Sequence, residues 1–137
     1  MADILIRQKI DSLSRCIARI KEKTPDSVSV LLQSQDIQDI ISLNIERAVQ
    51  QCVDMAMIIL SDQDTPVPAS MGEAFECLSE KEIISKNISE RMIKAVGFRN
   101  ILVHAYTKVD WGIVWKIIKN HIEDFKDFSR EIMNSGY

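Results

Sequence analysis

Apolar residues recur every three or four positions along most of this chain, and this spacing narrows the possible folds more than any other feature. In the first segment they are Ile6, Ile10, Leu13, Ile17 and Ile20. An α-helix turns about 100° per residue, so such spacing places one apolar stripe along a helix. Strand-like alternation is missing, and the 137 residues include only four Gly and three Pro. The chain is therefore predicted to be all-α.

The same pattern gives the helix boundaries. It predicts helices over residues 4–23, 35–60, 70–78 and 87–108, and a last helix that begins at a capping Asp110 and repeats its apolar residues as far as Ile132. Residues 26–34 are expected to form a loop with a short helical turn. The predicted architecture is one domain, residues 1–137, built as an antiparallel bundle of four long helices plus a short helix.

Local signals support three of these boundaries. Pro25 ends the first helix, because proline disfavours helical geometry in the residue before it. Ser70 with Glu73, and Asn87 with Glu90, have the spacing of residues that cap helix N-termini.

The overall composition excludes several classes of protein. Charged residues, 27 % of the sequence, interrupt every apolar run, and no signal peptide is recognisable, so we expect a cytoplasmic protein that is not in a membrane. With two His and no carboxylate–His spacing, neither a metal site nor a cofactor is predicted. The odd number of cysteines favours buried thiols in a reducing compartment: Cys16, Cys52 and Cys77.

Charge is unevenly distributed. The net charge is −3, yet residues 85–109 hold five Lys or Arg and one Glu, for +4. Residues 26–84 hold eleven Asp or Glu and two Lys or Arg, for −9. A phosphate-bearing ligand could be attracted to the first segment and a basic partner to the second, or both could simply be solvated helix faces.

A polar cluster interrupts the apolar pattern near the end of the fourth predicted helix: Arg99, Asn100, His104 and Tyr106. On a continuous helix Tyr106 lies about 20° from Arg99, while Asn100 and His104 are one turn apart. We expect these four on one side of the helix, and apolar residues on the opposite side: Phe98, Ile101, Leu102 and Ala105. Further apolar residues between the polar ones suggest that a second molecule packs on this side, and Gly97 would allow its close approach.

The segment Arg99-Asn100-Ile-Leu-Val-His104-Ala-Tyr106 resembles the R-N-x-x-x-H-x-Y signature of HEPN ribonucleases, in particular the HepT-type toxins of the HepT/MntA toxin–antitoxin family. The resemblance extends to Phe98 and to Asn44-Ile-Glu-Arg47-Ala upstream. It implies a helical HEPN domain that cleaves RNA without a metal ion and forms a homodimer, with the motif helices of two subunits face to face.

The resemblance also implies roles for the motif residues. The RNA 2′-hydroxyl attacks the neighbouring phosphorus, with His104 as general base or acid, Arg99 as the clamp on the phosphate and Asn100 as the orienting group. The products would carry 2′,3′-cyclic phosphate and 5′-hydroxyl ends. A small MntA-type nucleotidyltransferase would act as antitoxin by transferring AMP to Tyr106, which adds negative charge and bulk beside Arg99.

Several alternatives stay open at this stage. Arg47 and Asp54 project to similar sides of the second long helix and either support the motif or bond within the bundle. Arg99 could form an ion pair with a carboxylate such as Asp54, and His104 could be a core histidine; His121 is assigned no role. The alternative function is a non-catalytic HEPN module that binds a nucleotidyltransferase and presents its substrate.

Overall fold

The computed structural model describes residues 1–137 and confirms the all-α prediction. The chain forms seven α-helices and one 3₁₀ turn: α1 (Ala2–Lys23), α2 (Val28–Gln33), α3 (Gln35–Asp62), α4 (Met71–Glu80), α5 (Lys86–His104), the 3₁₀ turn Tyr106–Lys108, α6 (Trp111–His121) and α7 (Glu123–Asn134). None of the helices combines the length and apolar character needed to cross a membrane.

Helix α3 is the central element of the bundle. It packs along α1 and also contacts α2, α4, α5 and α7. The main core lies among α1, α3, α4, α5 and α7, where Phe75 and Phe128 meet edge to face with ring centroids 5.5 Å apart. A second, smaller core lies at the other end of the bundle and contains eight buried residues: Ile20, Leu31, Ile41, Ile45, Leu102, Trp111, Val114 and Ile118. The polar motif at the end of α5 therefore adjoins the smaller core.

Two predicted boundaries are wrong at this end. Helix α5 ends at His104, not near residue 108, and Ala105 leaves the helical region with φ −125° and ψ 34°. Helix α5 ends early for two reasons. Asp110 must have an extended backbone to cap α6, and the β-branched Thr107 and Val109 have a low helix propensity. The last predicted helix is also two helices, because α6 packs on α2 whereas α7 packs on α5, α1 and α3.

Two of the three N-terminal caps predicted from the sequence are present in the structure, and the third is formed by a different residue. The Oγ of Ser70 accepts from the Glu73 amide at 3.1 Å, and Asp110 accepts from two amides at the start of α6. Helix α5 is capped by Ser85, whose Oγ accepts from the Ile88 amide at 3.2 Å, and not by Asn87. Ser85 is also held by Glu131 on α7, an interaction between distant segments that the local pattern could not reveal.

Candidate nuclease site

The last two turns of α5 carry the three candidate catalytic residues. Asn100 and His104 are exposed and Arg99 is half-buried. The buried side of the helix runs along Met92, Val96 and Leu102. The predicted apolar side is therefore only partly right: Leu102 is buried and Phe98 packs against the smaller core, but Ile101 is 52 % exposed. Met92 and Val96, which the predicted apolar side did not include, are in the core.

Arg99 is held in place without being neutralised. Its Nη1 donates to Oδ1 of Asn100 at 3.0 Å, and its Nε is buried without a partner. No carboxylate lies within 4 Å of the guanidinium, so the ion pair with Asp54 that the sequence allowed is not formed. With no carboxylate of the chain to neutralise it, the guanidinium is suited to bind an oxyanion from outside the chain.

His104 is the last residue of α5, and its imidazole has no hydrogen bond within the chain. It is exposed and lies outside the core, where a proton-transfer group can meet a substrate. The other histidine differs: Nδ1 of His121 lies 3.2 Å from Oδ2 of Asp124. No group of three His, Cys, Asp or Glu side chains is close enough together to hold a metal ion.

Tyr106 lies in the 3₁₀ turn and not on the helix, so the predicted 20° angle to Arg99 does not apply. Its hydroxyl donates to Oδ1 of Asp39 in α3, and its ring meets Trp111 edge to face at 6.2 Å. The hydrogen bond to Asp39, together with partial burial, raises the pKa of Tyr106 to about 12. The phenol is therefore held in position between the carboxylate of Asp39 and the ring of Trp111.

Arg47 and Asp54, the candidate supporting residues, form no hydrogen bond with the motif. Asp54 accepts from Lys9 at 3.0 Å, which joins α3 to α1, and from Gln50 of its own helix at 2.8 Å. Arg47 lines an open groove of about 530 Å³ between α1 and α3, together with Arg15 and Arg19, and no acidic side chain lines it. Asp54 therefore has a structural contact, whereas Arg47 has a free guanidinium on a basic surface.

Asp39 is the residue at this site that sequence reasoning missed. An Asp in the first turns of a helix is explained by the positive end of the helix dipole, so its occurrence carries no functional signal. Only the folded chain brings it to Tyr106, which is 67 positions away.

Comparisons with known proteins match nearly the whole chain. A family model described as "Ribonuclease HepT-like" matches residues 13–132. The chain is 36 % identical to the mRNA nuclease HepT of Shewanella oneidensis over 128 residues, which is 93 % of this chain and 95 % of that protein. It is 23 % identical to the tRNA nuclease HepT of Aphanizomenon flos-aquae over 94 % of this chain and 88 % of the relative.

The fold is similar to a solved structure with a partner protein. That structure is a tri-AMPylated HEPN toxin of Shewanella oneidensis in complex with an MNT antitoxin. The TM-score is 0.89 with 34 % sequence identity, over 95 % of this chain and 97 % of that one.

Proposed function

This chain belongs to the ribonuclease HepT-like family, and from that premise we propose that it is the toxin of a toxin–antitoxin pair: a metal-independent endoribonuclease neutralised by AMP transfer to Tyr106. The observation that carries the proposal is the solvent-facing set of Arg99, Asn100 and His104. It contains a proton-transfer group and a guanidinium that no carboxylate of the chain neutralises.

The proposed cleavage follows from these side chains. His104 removes the proton of a ribose 2′-hydroxyl, whose oxygen attacks the adjacent phosphorus, and the bond from phosphorus to the 5′-oxygen breaks. Arg99 stabilises the extra negative charge on the phosphate, and Asn100 holds the guanidinium through its Oδ1. The departing 5′-oxygen takes up a proton, which leaves 2′,3′-cyclic phosphate and 5′-hydroxyl ends.

A homodimer would bring two such sets together. Ile101 and Val103 are exposed on α5, and a Cβ placed on Gly97 would meet no atom within 4 Å. Nothing inside the chain therefore requires the glycine, and a second subunit packed on this side would explain it. Two Arg99 and two His104 side chains in one cleft would supply both a base and an acid, and would offset the acidic net charge.

Neutralisation is supported by the AMPylated toxin to which this fold is similar. Tyr106 follows His104 by two residues, so an AMP group on its hydroxyl would add a phosphodiester anion and a nucleoside close to the cleavage site. The partner would be a minimal nucleotidyltransferase of the MntA type.

The test has two parts, run on the purified chain. RNA cleavage in EDTA should proceed and leave 2′,3′-cyclic phosphate ends, read by end-specific labelling. Incubation with ATP and the transferase encoded beside the gene should add AMP masses to Tyr106 and stop cleavage, whereas Tyr106→Phe should stay unmodified and active. No cleavage, together with binding to the transferase, would support the non-catalytic module instead.

A further inference from the structure

The hydrogen bond between Tyr106 and Asp39 places a carboxylate on the hydroxyl that the proposed function modifies. Asp39 is exposed on α3 and forms no ion pair, so its second oxygen remains free. The edge-to-face contact with Trp111 and the 3₁₀ turn fix the ring, which leaves the phenol oxygen beside the carboxylate. The hydrogen bond to Asp39 is the main cause of the raised pKa of Tyr106, and burial and the charge of Asp39 add to it.

Any tyrosine keeps its proton at neutral pH, and the raised pKa of Tyr106, about 12, makes ionisation before the reaction still less favourable. The proton must therefore leave while the oxygen attacks an electrophile. An acceptor in contact with the hydroxyl makes that step easier. A carboxylate takes the proton of a substrate hydroxyl in the same manner in protein kinases, where an aspartate of the catalytic loop does so.

We propose that Asp39 is the proton acceptor when a nucleotidyl group is transferred to Tyr106. The inference rests on the proposed function, in which a partner transferase delivers a nucleoside triphosphate. The Tyr106 oxygen forms a bond to the α-phosphorus, the bond from that phosphorus to the bridging oxygen breaks, and pyrophosphate leaves. The phenol proton passes to the Asp39 carboxylate. The toxin thus contributes a catalytic group to its own modification.

The chain contains a matched control for this pair. The only other tyrosine, Tyr137, donates to Oδ2 of Asp62 at 2.7 Å. Asp62 is the last residue of α3, about 35 Å along the helix from Asp39. Both pairs are hydrogen bonds from a tyrosine hydroxyl to an aspartate carboxylate, but they lie at opposite ends of α3. Asp62→Asn therefore tests whether removing the carboxylate from any such pair changes the rate of AMP transfer to Tyr106.

The experiment measures AMP transfer to the full chain by the partner transferase, with radiolabelled ATP and mass mapping of Tyr106. Asp39→Asn keeps an oxygen that accepts the hydroxyl but cannot take its proton at neutral pH. It should lower kcat at least about 100-fold at pH 7 with little change in the KM for ATP, while Asp39→Glu restores part of the rate and Asp62→Asn matches the parent. Thermal unfolding of each variant verifies the fold.

The pH profile separates proton acceptance from simple positioning. Without Asp39 the phenol ionises more readily, so the deficit of Asp39→Asn should shrink steadily between pH 7 and 9.5. If Asp39→Asn is modified as fast as the parent, or is slowed by the same factor at every pH, Asp39 is not the proton acceptor. The proposed neutralisation at Tyr106 would still stand. A parent chain that gains no mass on Tyr106 would overturn both this role and the proposed neutralisation.

Discussion

Helix α5 carries two arginines whose surroundings differ. Nη1 of Arg91 lies 3.2 Å from a carboxylate oxygen of Asp124 and 3.4 Å from one of Asp127, and Asp124 also contacts His121. Arg99, eight residues further along, has an amide for a partner and no carboxylate. Both regions contain an arginine and a histidine. Only in the region of Arg91 and His121 do carboxylates contact these two side chains.

The difference has a simple origin in the chain. Helix α7 carries the acids that reach Arg91, whereas residues 111–121 of α6 contain no Asp or Glu. Asp39 and Asp110 lie near the motif in the chain fold and have other partners: Asp39 accepts from Tyr106, and Asp110 caps α6. A paired guanidinium joins helices, and an unpaired one remains available to a phosphate. Two experiments compare the two regions directly, and a third tests the hydrogen bond that occupies Asp39.

The largest effect is expected for the two histidines. His104→Ala should lower the rate of RNA cleavage by about 10² to 10⁴, the contribution of a general acid or base, whereas His121→Ala should cleave at the parental rate. Initial rates on a fluorescent RNA measure both. A His104→Ala protein that cleaves as fast as the parent would remove the proposed mechanism.

The two arginines should separate activity from stability. Arg99→Gln is expected to reduce cleavage by about 10² to 10³, as the loss of one transition-state donor does, with an unchanged or higher melting temperature because a buried unpaired Nε is removed. Arg91→Gln should retain cleavage but lose less than about 1 kcal/mol of stability, since that ion pair is partly exposed. Equal losses of activity would show that the comparison is wrong.

The smallest effect concerns alkaline pH. The folded-state pKa of Tyr106, about 12, lies above its unfolded value near 10. Its contribution to stability is therefore complete below pH 10 and is lost as the pH rises from 10 to 12. Ultraviolet titration of tyrosinate should show a late step that disappears in Tyr106→Phe and moves to lower pH in Asp39→Asn. An unchanged step in Asp39→Asn would mean that burial, and not the hydrogen bond, raises the pKa.

The spacing of the apolar residues alone predicted most of the helices. Apolar residues three or four positions apart form one continuous face only when the chain is helical. It failed where distant contacts determine the local backbone. Ser85 replaces Asn87 as the cap because Glu131 holds it, and α5 stops at His104 because the next residues pack on Trp111 and Asp39. Ile101 is exposed although it is apolar, since the core lies on the side of Met92 and Leu102.

The sequence by itself determined the all-α class, the approximate helices and the position of Asn100 one helical turn before His104, since residues four apart are neighbours wherever the helix forms. Only the tertiary structure decided which of the two arginines is paired and which partner holds Tyr106. Those depend on side chains from other helices, and helical spacing carries no information about which distant carboxylate arrives. The free guanidinium at the end of α5 is thus a property of the bundle as a whole.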